Sequence, residues 1–257
     1  MIITWFGTAS LAVQTQRGRL LIDPFFPFEG SPTRIPADAY DGCADILVTH
    51  GHFDHIMSLP DLCRREPRRV YCTQAPFETL TRLGVEKRAL IRIATGDAFE
   101  IGDMRVTAFQ SRHVRYDRAI LRRTLLSPRM LRHARNLPRV VRGFLKYPEN
   151  GETQGFLIEG DGVRVFAMGS LNLAPGVEYP TGMDLLVLPY QGTSDLLTPA
   201  VEIIGRLKPR AVLLDHFDDA FPPISNTVDT GDIERHYAGK LPVYRLGPGE
   251  SMDLKAR

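Results

Sequence analysis

The chain opens with short apolar runs divided by turn residues. Ile2 to Trp5 and Leu11 to Thr15 read as strands, with Gln16-Arg17-Gly18 as a hairpin tip. Leu20-Leu21-Ile22 forms a third strand, ended at Asp23-Pro24 because proline cannot donate to a sheet ladder. Residues 24 to 40 hold four prolines and a glycine without any period, which predicts an irregular loop. Ala44-Asp45-Ile46-Leu47-Val48 is a short, largely apolar run suited to a buried strand. Helices are predicted from Ser58, as a cap with Pro60 in the first turn, and over Ala75 to Leu83. Arg69 to Cys72, Leu90 to Ala94 and Met104 to Phe109 supply further strands.

The pattern recurs after residue 146. Thr153 to Glu159 and Val163 to Met168 flank a Gly160-Asp161-Gly162 turn. Asp184 to Leu188 and Ala211 to Leu214 are buried-strand candidates, separated by an amphipathic helix near Pro199 to Leu207. A final helix fits Asp232 to Ala238, and Pro242 to Tyr244 is the expected last strand. Each half opens with a hairpin and continues as strand–helix alternation. Two sheets packed together with helices outside satisfy such a chain, an α/β architecture expected to form one domain over residues 1–257.

Composition narrows this little but excludes much. With 257 residues, 43% of them apolar, and 30 acids against 32 bases, the chain can bury a core and is not disordered. No stretch approaches the ~18 apolar residues that span a bilayer. The N-terminus lacks a basic segment followed by an apolar run, so no signal peptide is expected. Cys43, Cys63 and Cys72 show no C-x-x-C spacing, which argues against a disulfide framework and for a reducing, cytoplasmic location.

Charge is unevenly placed. Nine arginines and one lysine lie between Arg115 and Lys146, opposed only by Asp117. That segment carries +9, leaving −7 for the rest against the total of +2. Apolar residues recur in it at helical intervals, and Pro128 and Pro138 divide it into two or three short helices. Four roles fit this basic insert. It could be a lid gripping a small anionic substrate, phosphorylated or not, through Arg122, Arg123, Arg129 and Arg132. Residues 115–146 could instead rest on a membrane or lipid surface, or on nucleic acid, or form a solvated excursion.

Candidate chemistry concentrates in one place. Three of seven histidines lie in Thr49-His50-Gly51-His52-Phe53-Asp54-His55. Three imidazoles and a carboxylate so close cannot all be core residues, since each would need a buried partner. Together they suit Zn²⁺, with Mn²⁺ or iron as alternatives. In an extended turn His50 and His52 point one way while Asp54 and His55 swing toward a second point, which would serve one or two ions. His113 and His216 likewise follow predicted strands at their C-terminal ends. His133 and His236 read as surface residues. Asp23 and Asp215 are each placed either to orient a ligand histidine or to start a turn.

In these residues, and in Ile3 to Ser10 and Leu21-Ile22-Asp23-Pro24, the chain resembles the metallo-β-lactamase-fold hydrolases. The opening is similar to the branch that holds ascorbate-6-phosphate lactonase and N-acyl phosphatidylethanolamine phospholipase D. The resemblance implies an αββα sandwich with the site at one edge. By position it implies His50, His52 and His113 at one metal and Asp54, His55 and His216 at the second. Two positions depart from the family pattern. Ser170, in Phe166 to Asn172, stands where the family carries a bridging aspartate, with Asn172 as a nearby oxygen source, and Thr8 stands where the branch often has histidine.

The expected function is a metal-dependent hydrolase in which a metal-bound hydroxide attacks an ester, lactone, amide or phosphoester. Asp54 would both hold metal and orient the nucleophile. The competing expectations are a phosphodiesterase or nuclease acting on phospholipid or nucleic acid, and a metal-binding member that lost turnover with the bridging acid. An iron oxidoreductase is a further use of such a fold, but nothing here indicates a flavin or electron-transfer domain.

Overall fold

The opening alternation folds as predicted, into β1 (Ile2–Gly7) and β2 (Ser10–Gln14), followed by β3 (Arg19–Ile22). A computed structural model describes residues 1–256. The first half continues with β4 (Asp45–Leu47), α1 (Phe53–Ile56), α2 (Leu59–Arg65), β5 (Arg69–Cys72), α3 (Gln74–Arg82) and β6 (Leu90–Arg92). β7 (Ala98–Ile101) and β8 (Met104–Gln110) lead to the basic insert, which holds α4 (Arg118–Leu125), α5 (Arg129–Arg132) and α6 (Leu137–Lys146). The second half runs through β9 (Gln154–Gly160), β10 (Val163–Ala167), β11 (Leu185–Pro189), α7 (Leu197–Leu207), β12 (Val212–Asp215), α8 (Gly231–Tyr237), β13 (Val243–Tyr244) and β14 (Ser251–Asp253).

Two seven-stranded sheets result, in the orders β14-β1-β2-β3-β4-β5-β6 and β13-β12-β11-β10-β9-β8-β7. In each, antiparallel hairpins give way to parallel strands: β3 to β6 in one sheet and β10 to β13 in the other. The strand period of two sorts side chains into layers. Ile3, Trp5, Leu20 and Ile22 face Val165, Ala167, Leu185 and Val187 in the core between the sheets. Phe6, Leu21 and Ile46 point outward, under Leu59 and Leu62 of α2 and Leu80 of α3. Phe166, Leu186 and Leu214 do the same beneath Ile203 and Leu207 of α7. The order of layers is therefore α/β/β/α.

Three sequence expectations need correcting. The last strand is β14, which adds to β1 at the edge of the first sheet, not Val243-Tyr244. β7 was not anticipated and pairs with β8 as a hairpin. Ser58 starts α2, but its hydroxyl does not cap the helix. The preceding turn is already helical, and Ser58 Oγ accepts the Phe26 N–H instead.

The insert is pinned at several points. Asp117 caps α4 by accepting from Ile120 N–H, and also from Ser194 N–H and hydroxyl. Arg129 pairs with Asp219 at 2.5 Å, and buried Asn136 donates to the carbonyls of Glu29 and Pro222. In α6, Gly143 lies against the Phe53 ring, where a Cβ would come within 2.7 Å. Leu126, Leu131 and Leu145 are left exposed. No helix among the described residues is long and apolar enough to cross a membrane.

Candidate metal centre

Three strands of the two sheets end at one edge and deliver imidazoles there. β4 runs through Val48 into Thr49 and His50, β8 is followed by His113, and β12 by His216. His52 sits at the N-terminus of α1, whose single turn carries Asp54 and His55. The motif is thus extended only to His52. The helical turn after it is what rotates Asp54 and His55 away from His50 and His52. Gly51 has no side chain because the Pro148 carbonyl occupies the place, 2.3 Å from where a Cβ would stand.

The donors gather into two groups, His50 with His52 and His113, and Asp54 with His55 and His216. Within each group the ligating atoms lie within 4.8 Å of one another. The His50 and His55 rings lie 3.9 Å apart between centroids, tilted by 49°, so the groups adjoin. His50 Nε2 lies 3.1 Å from His52 Nδ1, and His216 Nε2 lies 3.1 Å from Asp54 Oδ2.

Behind the donors, Asp23 organises the rings. It is fully buried and accepts from Thr49 N–H, from the Thr49 hydroxyl and from His55 Nδ1 at 2.7 Å. With its proton given to Asp23, Thr49 Oγ1 is left to accept from His50 Nδ1 at 3.0 Å. His113 Nδ1 donates to the Val114 carbonyl at 2.7 Å. The Nδ1 protons of His50, His55 and His113 are thus all directed backward, leaving each Nε2 as a lone pair for the site. Asp23, Thr8 and His216 all have positive φ, at 45°, 47° and 56°, backbone strain held where the chemistry is. Thr8 pins this region: its carbonyl accepts His216 N–H, and its N–H donates to Asp218.

Electrostatics divides the groups. Burial, and then the neighbouring rings, pushes His50 far down; burial lowers His113 and brings His52 to about 4. These imidazoles are neutral at pH 7. Burial also works against a charged His216, but the Asp54 hydrogen bond and the Asp54, Asp215 and Asp218 charges overcome it and raise the ring to about 9. Burial would raise Asp54 in turn, yet the neighbouring His55 ring and the His216 hydrogen bond hold its carboxyl well below the usual range. Asp215 touches no ring through a hydrogen bond; burial raises it strongly, and one of its oxygens is unpartnered. A crowd of imidazole lone pairs with few protons to share, beside an ionised carboxylate, fits a divalent cation.

The other sequence candidates fall unevenly. Ser170 lines the recess over the donors and accepts Val114 N–H at 3.0 Å. Asn172 does not supply an oxygen there, because its amide nitrogen faces the His113 carbonyl. Arg129 is not a free substrate anchor, since Asp219 and the Ser225 carbonyl occupy its guanidinium. Arg122, Arg123 and Arg132 stand exposed and line neither the recess nor the cavity beside it. The arginines that do flank the donors are Arg112 and Arg115, in an open groove with His52, His113 and Glu149. Their proximity in sequence to His113 was the available signal. Tyr116, Gln191 and Gly192 also line the recess, and nothing in the sequence marked Gln191 or Gly192.

Fold and donor set together put the chain in the class of metal-dependent hydrolases built on the metallo-β-lactamase fold. The family model of the beta-lactamase superfamily domain matches residues 18–217, and the chain belongs to that family. A UPF0173 metal-dependent hydrolase of Nitratidesulfovibrio vulgaris is 30% identical over 98% of this chain and 95% of its own. One from Archaeoglobus fulgidus is 25% identical over 99% of both chains. Among solved structures, Igni18, a metallo hydrolase from Ignicoccus hospitalis, superimposes with a TM-score of 0.65 at 20% identity, over 99% of each chain.

Proposed function

We propose that the protein hydrolyses an ester, lactone or phosphoester of an anionic substrate, using divalent cations held by His50, His52 and His113 and by Asp54, His55 and His216. The convergence of two three-residue donor groups at one sheet edge carries this reading. Zn²⁺ is the first candidate for so imidazole-rich a set, and Mn²⁺ or iron accept the same ligands. Bound there, such cations acidify a water molecule and polarise the electrophile.

The chain's own groups do the rest. Asp54, ionised at neutral pH, accepts a hydrogen bond from the attacking water and orients it. Asp23 keeps the His55 ring fixed through its Nδ1. Arg112 and Arg115 offer the anionic end of the substrate a cationic groove beside His52 and His113.

Metal analysis of the purified protein, with a panel of aryl esters, lactones and phosphodiesters, tests the reading. We expect tightly held metal, hydrolysis abolished by chelation, and sharply lower metal content in His52→Ala and His113→Ala. Full metal content in both variants would refute the ligand assignment. Loaded metal with no turnover on any class would favour a binding protein that lost its activity with the acid replaced by Ser170.

A further inference from the structure

The recess directly over the donors is small. It offers about 30 Å³, room for one or two water molecules. Beside it lies a much larger cavity of about 240 Å³, enclosed by the insert and the second half of the chain. Ile120, Leu121 and Thr124 of α4 form one wall, on one face of the helix, with Phe144 of α6. Phe221 and Val228 form part of the floor. No charged side chain among the described residues lines it. Tyr116, Gln191 and Gly192 line both spaces, so the cavity continues into the recess.

We propose that this cavity is a subsite for an apolar arm of the substrate, an alkyl or aryl group attached to the bond cut over the donors. The proposal rests on the hydrolytic reading above and adds the substrate class. Three observations carry it. The recess can hold the attacking water and the reacting atoms but not the bulk of a substrate. The charged groups that flank the donors on the substrate side among the described residues, Arg112 and Arg115 with Glu149 opposing them, lie in the separate groove that also holds His52. The cavity shares no residue with that groove except Tyr116. An amphiphilic substrate therefore sits with its polar end in the arginine groove, its scissile bond over the donors and its apolar end beneath α4. Catalytic pockets of this kind combine an apolar lining with a few fixed polar groups. The insert then selects substrates by its apolar inner face, while Arg115 faces the groove and Arg122, Arg123 and Arg132 line neither space.

The test uses zinc-loaded full-length protein and two series of probes. Calorimetric titration with butyrate, hexanoate and octanoate reads the cavity without any reaction. The carboxylate is constant, so differences report the tail. Affinity should rise roughly fourfold per added methylene, the equivalent of ~0.8 kcal/mol each. Thr124→Phe, which places a ring in the cavity, should flatten that rise. Leu121→Gln, at a half-exposed position that tolerates polarity, should weaken it. Leu131→Ser, on the same insert but outside the cavity, should leave it intact. Equal affinity for all three acids, or an unchanged rise in both Thr124→Phe and Leu121→Gln, would overturn the assignment. The second series, p-nitrophenyl acetate, butyrate and octanoate, separates the two readings. Hydrolysis with the same kcat/KM for all three would sink the subsite and leave the hydrolase standing. Octanoate binding with the expected rise but no p-nitrophenolate release would sustain the subsite and remove ester hydrolysis.

Discussion

His55 Nδ1 lies 2.7 Å from Asp23 Oδ2, a contact between the residue that follows β3 and the histidine motif that fixes which imidazole nitrogen faces the site. Asp23 sits in the left-handed region, with φ of 45°, to make it. Asp23→Asn can still accept from one partner but cannot hold three donors as an anion. Such orienting carboxylates typically contribute 10- to 100-fold in metal affinity or activity. We expect a loss of roughly that size, read by competitive metal titration and by kcat. Wild-type affinity in Asp23→Asn would show the contact to be structural only.

Ser170 is the position where a second acid would change the centre. Its hydroxyl borders the recess and accepts Val114 N–H, a role a carboxylate can keep. Two cations a few ångströms apart repel, and Asp54 is the only acid among the clustered donors. In the wild type the three-histidine group should fill first and the second group more weakly. Ser170→Asp should tighten the second binding step in a calorimetric zinc titration. Two equal steps in the wild type, unchanged in Ser170→Asp, would refute this.

The metal-free protein should be most stable near pH 6.5. His50, His52 and His113 have depressed pKa values, so below 6.5 the unfolded chain binds more protons than the folded one. Stability then falls as pH drops from 6.5 through about 4, the value for His52. His216 is raised to about 9, so its contribution is complete below 6.5 and fades as pH climbs through 9. Urea unfolding of chelator-treated protein at pH 5, 6.5 and 9 checks both limbs. Monotonic dependence across that range would contradict the opposed shifts.

Gly143→Ala should destabilise despite improving helix propensity. Alanine gains about 1 kcal/mol over glycine within a helix. The new methyl would meet Phe53 Cδ1 and Cγ at 2.7 and 2.8 Å. Phe53 is buried between His52 and Asp54 in sequence, so its ring has little room to yield. Overpacking of this kind costs about 1–3 kcal/mol. A lowered Tm with weaker metal binding is expected. A raised Tm would mean that α6 lifts freely off the motif.

How much of this could be read from the chain depended on burial. Strands such as β11 and β12, apolar on both faces, announced themselves. β14 is exposed or half-buried and β7 offers only Phe99 and Ile101 over four residues, so both exist through their partners. The histidine motif was legible because its donors are local in sequence. Its helical turn was not, since four residues give no period. Arg129 looked like a free cation because its partner Asp219 is 90 positions away. The cavity beneath α4 was invisible for the same reason: its walls come from four separate stretches of chain.

The anchoring of the insert bears on how such a segment could be exchanged between relatives. Residues 115–146 look like a removable cassette between β8 and β9. Yet Asp117 needs Ser194, Arg129 needs Asp219, Asn136 needs two backbone carbonyls from opposite halves, and Gly143 needs the flat ring of Phe53. A chimaera built by cutting at the ends of the segment would carry over the helices and leave every one of these counterparts behind. Exchange of this element demands co-transfer of scattered residues, which makes gradual drift within the insert an easier evolutionary route than wholesale replacement.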